Sequence, residues 1–337
     1  MKLPRLKFIA SFFLAAILSA PLWGATPALP GTVNYIEGQA SIGTEALNAK
    51  SVGSTSLEAG QTITTATGKA ELLLTPGVFF RVGDDSSATL VSPNLTNTEM
   101  SLTKGQAMVE VAEIHKDNLL RVQEDGTTTQ LLKTGVYGFD ANSGAVRVFN
   151  GEALVQDGDR QIQVKGGHEL DVNNTGKLKP AKFDKAEYQD TDLYRFSNLR
   201  SEYLAEANVD VARTYWPGAA GWYGTGWYWD PLFLGYTWIP GDGIFYSPFG
   251  WGFYSPYYVG YAPYYGRSYP YGYAGGRGRA YLAGTNRSGY AGHPAGAFRG
   301  PSHASAAAPH FGAMGGGFHG GGGGFHGGGL SGGGFHR

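Results

Sequence analysis

Hydrophobic and polar residues alternate with a period of two through much of residues 31–180. The runs 70–75, 78–82 and 107–112 each place apolar side chains at every second position, and turn residues such as Pro76-Gly77 separate them. Shorter runs at 146–148 and 161–165 continue the pattern. Strands with one apolar and one polar face are typical of half-buried antiparallel sheets. We therefore predict a mainly β domain, built as a sandwich, a roll or a short solenoid.

One segment, residues 182–213, has helical spacing instead. Apolar residues recur every three or four positions and fall on one helix face: Leu193, Phe196, Leu199, Tyr203, Ala207 and Val211. Charged residues lie on the other faces, and Asp190 or Thr191 can cap the start. We predict one amphipathic helix that docks on the β domain or on the segment that follows it.

Residues 215–275 contain 24 aromatic side chains among 61 residues, interleaved with Gly and Pro. Gly and Pro are too frequent for long helices or strands, so we expect a loop-rich module or short hairpins held together by ring packing. Residues 276–337 are rich in Gly and contain no Asp, Glu or Lys. Such a segment has little to bury, and we predict a disordered Gly/His/Arg tail.

Residues 1–25 are typical of an export signal. Lys2, Arg5 and Lys7 precede a short apolar run from Phe8 to Ala20, and small residues follow at Gly24 and Ala25. An uncleaved anchor is the alternative. No later segment is apolar for long enough to span a bilayer. We expect a bacterial protein of the periplasm or the cell surface.

Charged residues make up only 16% of the chain and the formal net charge is −1, which argues against a nucleic-acid partner. Cysteine is absent, so the fold has neither disulfides nor thiolate metal sites. Packing of the core must therefore stabilise the exported protein by itself.

An ordered series of short motifs runs through the strand region. It comprises GTVNYIEGQASI (31–42), LEAGQTITTATGKAELLLTPGVFFRVGDDS (57–86), LTKGQAMVEV (102–111), TGVYGFD (134–140) and VRVFNGEALV (146–155). In order and spacing this series resembles the FecR domain. The stretch from Tyr137 to Asp140 departs from the Arg-Gly-Thr type of step that is common in that family, so no role of that arginine is carried over.

The resemblance implies a β-rich domain outside the cytoplasm that serves signalling or binding. Transmembrane regulators of this family carry a cytoplasmic N-terminal part that acts on a sigma factor. Only seven residues precede the apolar run here, so we do not expect direct sigma-factor control.

The sequence lacks three common motifs of nucleotide binding and catalysis. A nucleotide-binding loop, a G-x-S-x-G elbow and an H-E-x-x-H helix are all absent from the sequence. His115 and His168 lie far apart in turn-like settings, and we interpret them as surface or structural residues. Asp84-Asp85 is a candidate calcium turn, although a turn that simply favours Asp explains it better. We interpret Glu110 and Glu113 as a solvated strand edge. We predict no enzyme activity and no cofactor.

The aromatic segment and the tail supply the candidate binding residues. Trp222, Trp227, Trp229, Trp238 and Trp251 could stack on a glycan or contact an envelope partner; the alternative is that the rings pack on one another as a core. Asp230 and Asp242 form a conceivable glycosidase pair. In the tail, His319, His326 and His336 could bind a metal ion weakly, and Arg and Tyr side chains could drive self-association.

We therefore predict a non-catalytic exported scaffold or binding module of the envelope. The first alternative is an extracytoplasmic sensor or regulator in a signalling system, and the second is a hydrolase of cell-wall polymers. The expected partners are an envelope protein, a cell-wall glycan or another copy of the chain.

Overall fold

A computed structural model of the protein describes residues 28–174, 178–215 and 221–262. All of them lie in one compact unit. The bounds of the strands are β1 Thr32–Ile42, β2 Glu45–Ala46, β3 Thr62–Leu73, β4 Val78–Val82, β5 Ser87–Asn94, β6 Asn97–Lys104, β7 Gln106–Val111, β8 Leu119–Glu124, β9 Thr127–Leu131, β10 Gly135–Asp140, β11 Ala145–Asn150, β12 Glu152–Asp157, β13 Arg160–Lys165, β14 His168–Asp171, β15 Ala181–Lys182, β16 Gly226–Asp230, β17 Gly235–Ile239, β18 Ile244–Tyr246 and β19 Gly252–Tyr254. The helices are α1 Lys185–Gln189 and α2 Asp192–Thr214, with a 3-10 turn at Val259–Tyr261.

Strands β1 to β15 form a single large sheet. Its order is β13-β12-β9-β8-β6-β5-β3-β4-β7-β10-β11-β14-β15, and β1 lies against β3 and β2. The described pairings are antiparallel except for β6 with β8. The long strand β3 connects two halves of the sheet, one running from β5 to β13 and the other from β4 to β15. The start of β3 pairs with β5, and its end pairs with β4. The predicted mainly β fold is confirmed.

The sheet folds over on itself around one hydrophobic core. Side chains from the β5–β13 half, such as Val122 and Val155, belong to the same buried cluster as Phe80 and Val109 from the β4–β15 half. Successive side chains of a strand point to opposite faces of the sheet. The apolar residues at every second position of the sequence therefore share one face and form this buried cluster.

The chain crosses from one half to the other at Gly151. This residue has φ +94°, and a Cβ atom there would lie 2.4 Å from the Tyr137 hydroxyl and 2.8 Å from the Thr134 carbonyl oxygen. The Tyr137 hydroxyl donates to the carbonyl of Lys133 at 2.5 Å and accepts from the Glu152 amide at 3.2 Å. Tyr137 belongs to the stretch that departs from the expected family motif. Its side chain is buried, and its hydroxyl holds the corner between β11 and β12 in place.

The predicted single helix is two helices. The Asp184 side chain accepts a hydrogen bond from the Ala186 amide at the start of α1, and α1 ends at Asp190. Thr191 is the N-cap of α2, although its side chain makes no capping bond. The predicted apolar face is correct for Leu193, Phe196, Ala207 and Val211. The structure also buries polar residues of α2 that the hydrophobic spacing missed: Ser197, Ser201 and Asn208.

The aromatic segment folds as two short hairpins, β16–β17 and β18–β19, followed by the 3-10 turn. Helix α2 packs against both hairpins through Leu204, Ala205 and Val209. We refer to α2 and the residues 221–262 together as the C-terminal unit.

The C-terminal unit covers the outer face of β3, β4 and β7. Leu73, Phe79 and Ala112 on that face pack against Trp227, Trp238 and Phe253. Our prediction of half-buried strands with a solvated polar face is therefore wrong for residues 68–73 at the end of β3, for β4 and for β7 after Gln106, which are buried on both faces.

Three predictions lie outside the described residues: the signal segment 1–25, the tail 276–337 and the tail histidines. In the part of the chain that the structure describes, no helix combines the length and the apolar character needed to cross a membrane.

Candidate functional site

A buried network of charges lies between the folded sheet and the C-terminal unit. Alternation along β3, β4 and β7 points Glu71, Arg81 and Glu110 to the outer face, and all three side chains are fully buried. The Arg81 guanidinium lies between the two carboxylates, with Nε 2.8 Å from Glu71 Oε2 and Nη1 2.7 Å from Glu110 Oε2.

Groups from the C-terminal unit complete the network. Arg200 of α2 places Nη2 2.9 Å from Glu71 Oε1. The hydroxyls of Ser201 on α2 and Ser247 beyond β18 each donate to Glu110 Oε1 at 2.6 Å. Two arginines therefore balance two glutamates. Removing one member leaves a buried charge without compensation, which costs about 3–5 kcal/mol.

The pKa of the Glu71 carboxyl shows which force prevails. Burial alone would raise this pKa, but the adjacent Arg200 and Arg81 guanidinium groups outweigh it and lower the pKa to about 2. Our interpretation of Glu110 as part of a solvated edge is wrong, because the C-terminal unit covers it. Glu113, in contrast, is partly buried and lies 3.4 Å from the His115 ring nitrogen.

A second charged contact ties the start of α2 to the sheet. Lys69 Nζ lies 2.6 Å from Asp192 Oδ2 and 3.1 Å from Asp84 Oδ2, and the lysine side chain is only 7% exposed. Burial lowers the pKa of Lys69, and the carboxylates of Asp192 and Asp84 more than offset this, so the pKa lies above its usual value.

The candidate calcium turn uses its carboxylates for contacts within the protein. Asp84 Oδ1 accepts from the Gly68 amide at 2.6 Å, and Asp85, with φ +48°, pairs with Lys104. Among the described residues, no cluster of three or more His, Cys, Asp or Glu side chains is arranged to hold a metal ion.

Two asparagines connect the hairpins to the rest of the molecule. Asn34 of β1 bonds to both the amide and the carbonyl of Tyr236 in β17. Asn208 of α2 does the same with Tyr254 in β19 and also donates to the carbonyl of Trp238. These side chains satisfy backbone groups that short hairpins leave unpaired.

The structure separates the five candidate tryptophans into two groups. Trp227 and Trp238 are buried, and Trp227 packs edge-on against Phe79 at 5.2 Å, as the core-packing alternative predicts. Trp222, Trp229 and Trp251 are partly exposed. A glycan could reach only this second group without rearrangement of the core.

The conceivable glycosidase pair is not brought together. Asp230 lies at the turn of the β16–β17 hairpin, where its carboxylate accepts from the Leu232 amide, and Asp242 lies beyond the opposite end. The five-residue strands alone span about 14 Å at the usual rise per residue. Paired glycosidase carboxylates are about 5–9.5 Å apart.

A depression of about 430 Å³ opens between α2 and the β18–β19 turn. Its lining combines two aromatic side chains with amide and guanidinium groups: Gln189, Tyr194, Arg195, Asn198, Pro248 and Phe249. Trp251 Nε1 donates to Asn198 Oδ1 at 3.0 Å, so a tryptophan singled out from the sequence orients one of the lining amides. This is the candidate contact surface of the C-terminal unit.

Comparison with solved structures finds limited similarity. Two solved structures of a candidate anti-sigma factor from Parabacteroides distasonis ATCC 8503, at 2.50 and 1.65 Å resolution, are similar at 14% and 16% identity. Each has a TM-score of 0.33, and the match covers 37–38% of this chain and 61–62% of theirs. The chain thus spans about three fifths of their length, and a TM-score this low carries no argument about function.

A search of curated proteins finds no match. The family model described as FecR protein matches residues 61–154, which include Glu71, Arg81, Glu110 and the Gly151 corner. Arg81 belongs to the stretch 57–86 that carries the resemblance in the sequence, and it lies at the centre of the buried network. Residues 61–154 are thus the part of this chain that is similar to the FecR protein family.

Proposed function

We propose that this protein is a non-catalytic regulator or sensor that works outside the cytoplasm and contacts an envelope partner through its C-terminal unit. The FecR domain supports this regulatory role more strongly than the passive scaffold that the sequence alone ranked first. Export through residues 1–25 remains part of the proposal.

The observation that carries the proposal is the buried network itself. A partner that shifts α2 acts on Arg200, which is bonded to Glu71, and Glu71 and Glu110 share Arg81 at the centre of the domain. Networks of hydrogen bonds and salt bridges of this kind can carry energetic coupling between a contact surface and the rest of a protein. The same bonds commit these carboxylates to arginines, which supports a role in coupling and not in catalysis.

Site-specific photo-crosslinking in the envelope tests this function. A photoreactive amino acid replaces Phe249 in the depression, and a matched variant carries it at Gln130 on the outer face of β9, in the other half of the sheet. We expect a discrete protein adduct from position 249 alone. Equal adducts from both positions, or none from either, would contradict the proposal.

Binding to the cell wall is the second candidate function. The depression offers the rings of Tyr194 and Phe249 beside the side chains of Asn198 and Arg195, and sugars are bound by this combination of ring faces and planar polar groups. Cosedimentation with purified peptidoglycan tests it. Retention that Phe249→Ala abolishes and Tyr246→Ala preserves would favour the wall. Trp227→Ala is unsuitable, because that ring supports the core.

A further inference from the structure

One long strand edge of the sheet has no partner among the described residues. Strand β13 lies at an end of the sheet order and pairs with β12 alone, over six residues and without a bulge. The end strands β15 and β2 are only two residues long, and residues 53–55 bond to Val33 along the edge of β1. Proteins usually keep edge strands short, bulged or covered, because a regular edge pairs readily with another strand. In the part of the chain that the structure describes, β13 has none of these three protections.

The pairing with β12 determines which backbone groups β13 directs outwards. The Gly166 amide donates to the Gly151 carbonyl at 3.1 Å, so this pair is hydrogen-bonded. Bonded and non-bonded pairs alternate along antiparallel strands, and the pairs of Gln161, Gln163 and Lys165 with β12 are therefore of the non-bonded kind. These three residues point their amides and carbonyls away from β12, and their side chains are exposed. The edge thus offers a donor and an acceptor at every second position.

The core face of β13 is apolar up to the edge. Val164 is fully buried, and Ile162 is partly buried against the same core. On the outer face, the Gln163 side chain donates to the Glu152 carboxylate of β12. A strand that pairs with β13 would complete both faces, with apolar side chains beside Ile162 and polar side chains beside Gln163.

We propose that β13 binds β13 of a second copy of the chain, antiparallel and around a two-fold axis at Gln163. Outward-pointing residues must face one another for their backbone groups to bond, which restricts the register. A centre at Gln163 places Gln161 opposite Lys165 of the second copy and pairs all the outward residues of both strands. Ile162 then lies beside Val164 of the second copy, on the core face of both sheets. A shift of the second strand by two residues in either direction loses a bonded pair.

The charges at the ends of β13 match in this register. Lys165 lies diagonally across from Asp159 of the second copy, in the turn that precedes β13, and both side chains are exposed. Diagonal neighbours on paired strands are about 7–8 Å apart, a distance that a lysine side chain spans. The two-fold axis repeats this ion pair and places Arg160 opposite the uncharged Gly166. The strand is thus complementary to itself, as a two-fold interface requires, and this favours a second copy over a strand of an unrelated protein.

Disulfide trapping in the full-length protein tests the register, because the chain contains no cysteine of its own. In Gln163→Cys the two thiols of the dimer face each other, and the Cα atoms of such a bonded pair are about 5.5 Å apart, within the range of a disulfide. In Gln161→Cys, the matched control on the same strand, the two positions are offset by about 13 Å along the strands. We expect Gln163→Cys to be oxidised to a covalent dimer about tenfold faster than Gln161→Cys.

Gln163→Pro tests the pairing itself. The Gln163 amide has no bond among the described residues, and proline is tolerated at such an edge position, so the variant should fold, which circular dichroism verifies. The dimer loses both central hydrogen bonds, and we expect sedimentation velocity to show about tenfold weaker dimerisation, which Gln163→Ala does not cause. If proline disturbs the fold, Lys165→Glu weakens the dimer by bringing two carboxylates together, and adding Asp159→Lys should restore it.

Equal oxidation rates at positions 163 and 161 would overturn the proposal, as would a wild type that sediments as a monomer at every concentration tested. A dimer that survives both Gln163→Pro and Lys165→Glu would overturn it too, because its contact would lie elsewhere. The adduct expected at Phe249 comes from the C-terminal unit and not from this edge, so the two proposals fail independently.

Discussion

At Glu71, burial and ion pairing act on the pKa in opposite directions, and the ion pairs with Arg200 and Arg81 prevail. A carboxyl whose folded pKa is depressed from 4.5 to about 2 contributes stability that is complete above about pH 4.5 and is lost as the pH falls towards 2. The contribution is on the order of 3 kcal/mol. Urea unfolding of the wild type and of Glu71→Gln across this range measures it.

The glutamine variant should be less stable at neutral pH and should lose less stability on acidification. Glu58→Gln, at an exposed position, is the control and should follow the wild type. Parallel pH profiles for the wild type and Glu71→Gln would show that another group causes the acid sensitivity.

Glu124 presents the opposite case. Its carboxyl is buried, both oxygens lack a hydrogen-bond partner, and burial, with smaller effects of Asp125 and Asp140, raises its pKa to about 8. The folded protein therefore holds a proton there that the unfolded chain releases above about pH 4.5, and stability falls as the pH rises from 4.5 to 8.

Glu124→Gln removes this loss, because the amide stays neutral. We expect the variant to be more stable than the wild type at pH 8.5, by an amount on the order of 4 kcal/mol, and similar to it at pH 5. Thermal unfolding at the two pH values tests this. A variant that is less stable at both would refute the assignment.

For single residues, the sequence indicated the position of Arg81 in a motif but not the side chains that it contacts. The motif around Arg81 was recognisable, whereas its carboxylate partners Glu71 and Glu110 lie 10 and 29 residues away and meet it only through the pairing of β3, β4 and β7. Ser201 and Asn208 were invisible to a hydrophobic pattern, because their burial depends on hydrogen bonds to Glu110, Trp238 and Tyr254. A polar residue on an otherwise apolar helix face is the signal that could have found them.

Among the elements, the corner between β11 and β12 has the strictest geometry. Gly151→Ala adds a Cβ atom 2.4 Å from the Tyr137 hydroxyl in a left-handed conformation. Gly158, in the β12–β13 turn, also has a positive φ of 57°, but nothing lies within 4 Å of an added Cβ atom. We expect Gly158→Ala to cost about 1 kcal/mol and Gly151→Ala clearly more. Chemical denaturation compares the pair, and equal losses would argue against the steric account.

Helix α2 holds the two hairpins together through Asn208. Asn208→Ala leaves the amide and carbonyl of Tyr254 and the carbonyl of Trp238 without these partners, so we expect a loss of about 3 kcal/mol. Arg213→Ala, on the exposed end of the same helix, should cost little. A small effect at Asn208 would mean that water or another group satisfies the hairpin edges.

The order of the elements followed from the sequence better than their packing. Period-two alternation identified β3, β4, β7, β11 and β13, and Gly and Pro positions marked several strand ends, but strands such as β5, β6, β8 and β9 were not singled out. The second buried face of β3, β4 and β7 was missed because Glu71, Arg81 and Glu110 resemble a solvated face. Leu73, Phe79 and Met108 on that same face were the sign that something covers it.

At the largest scale, the structure joins the folded sheet and the C-terminal unit into one body across the described residues. They share an apolar interface centred on Phe79, the hydrogen bonds between Asn34 and Tyr236, and a balanced set of buried charges. A displacement of the C-terminal unit would therefore disturb the sheet as well. Many of the described aromatic residues of the C-terminal unit pack in this interface or against one another.

Native-state hydrogen exchange tests this unity most directly. We predict that the amides of β4, Val78–Val82, and of β17, Gly235–Ile239, exchange with the same free energy of opening, equal to that of global unfolding. In Arg81→Met both values should fall together. Exchange of β17 at a much lower free energy than β4, unchanged by the substitution, would show that the C-terminal unit opens by itself and would contradict the account.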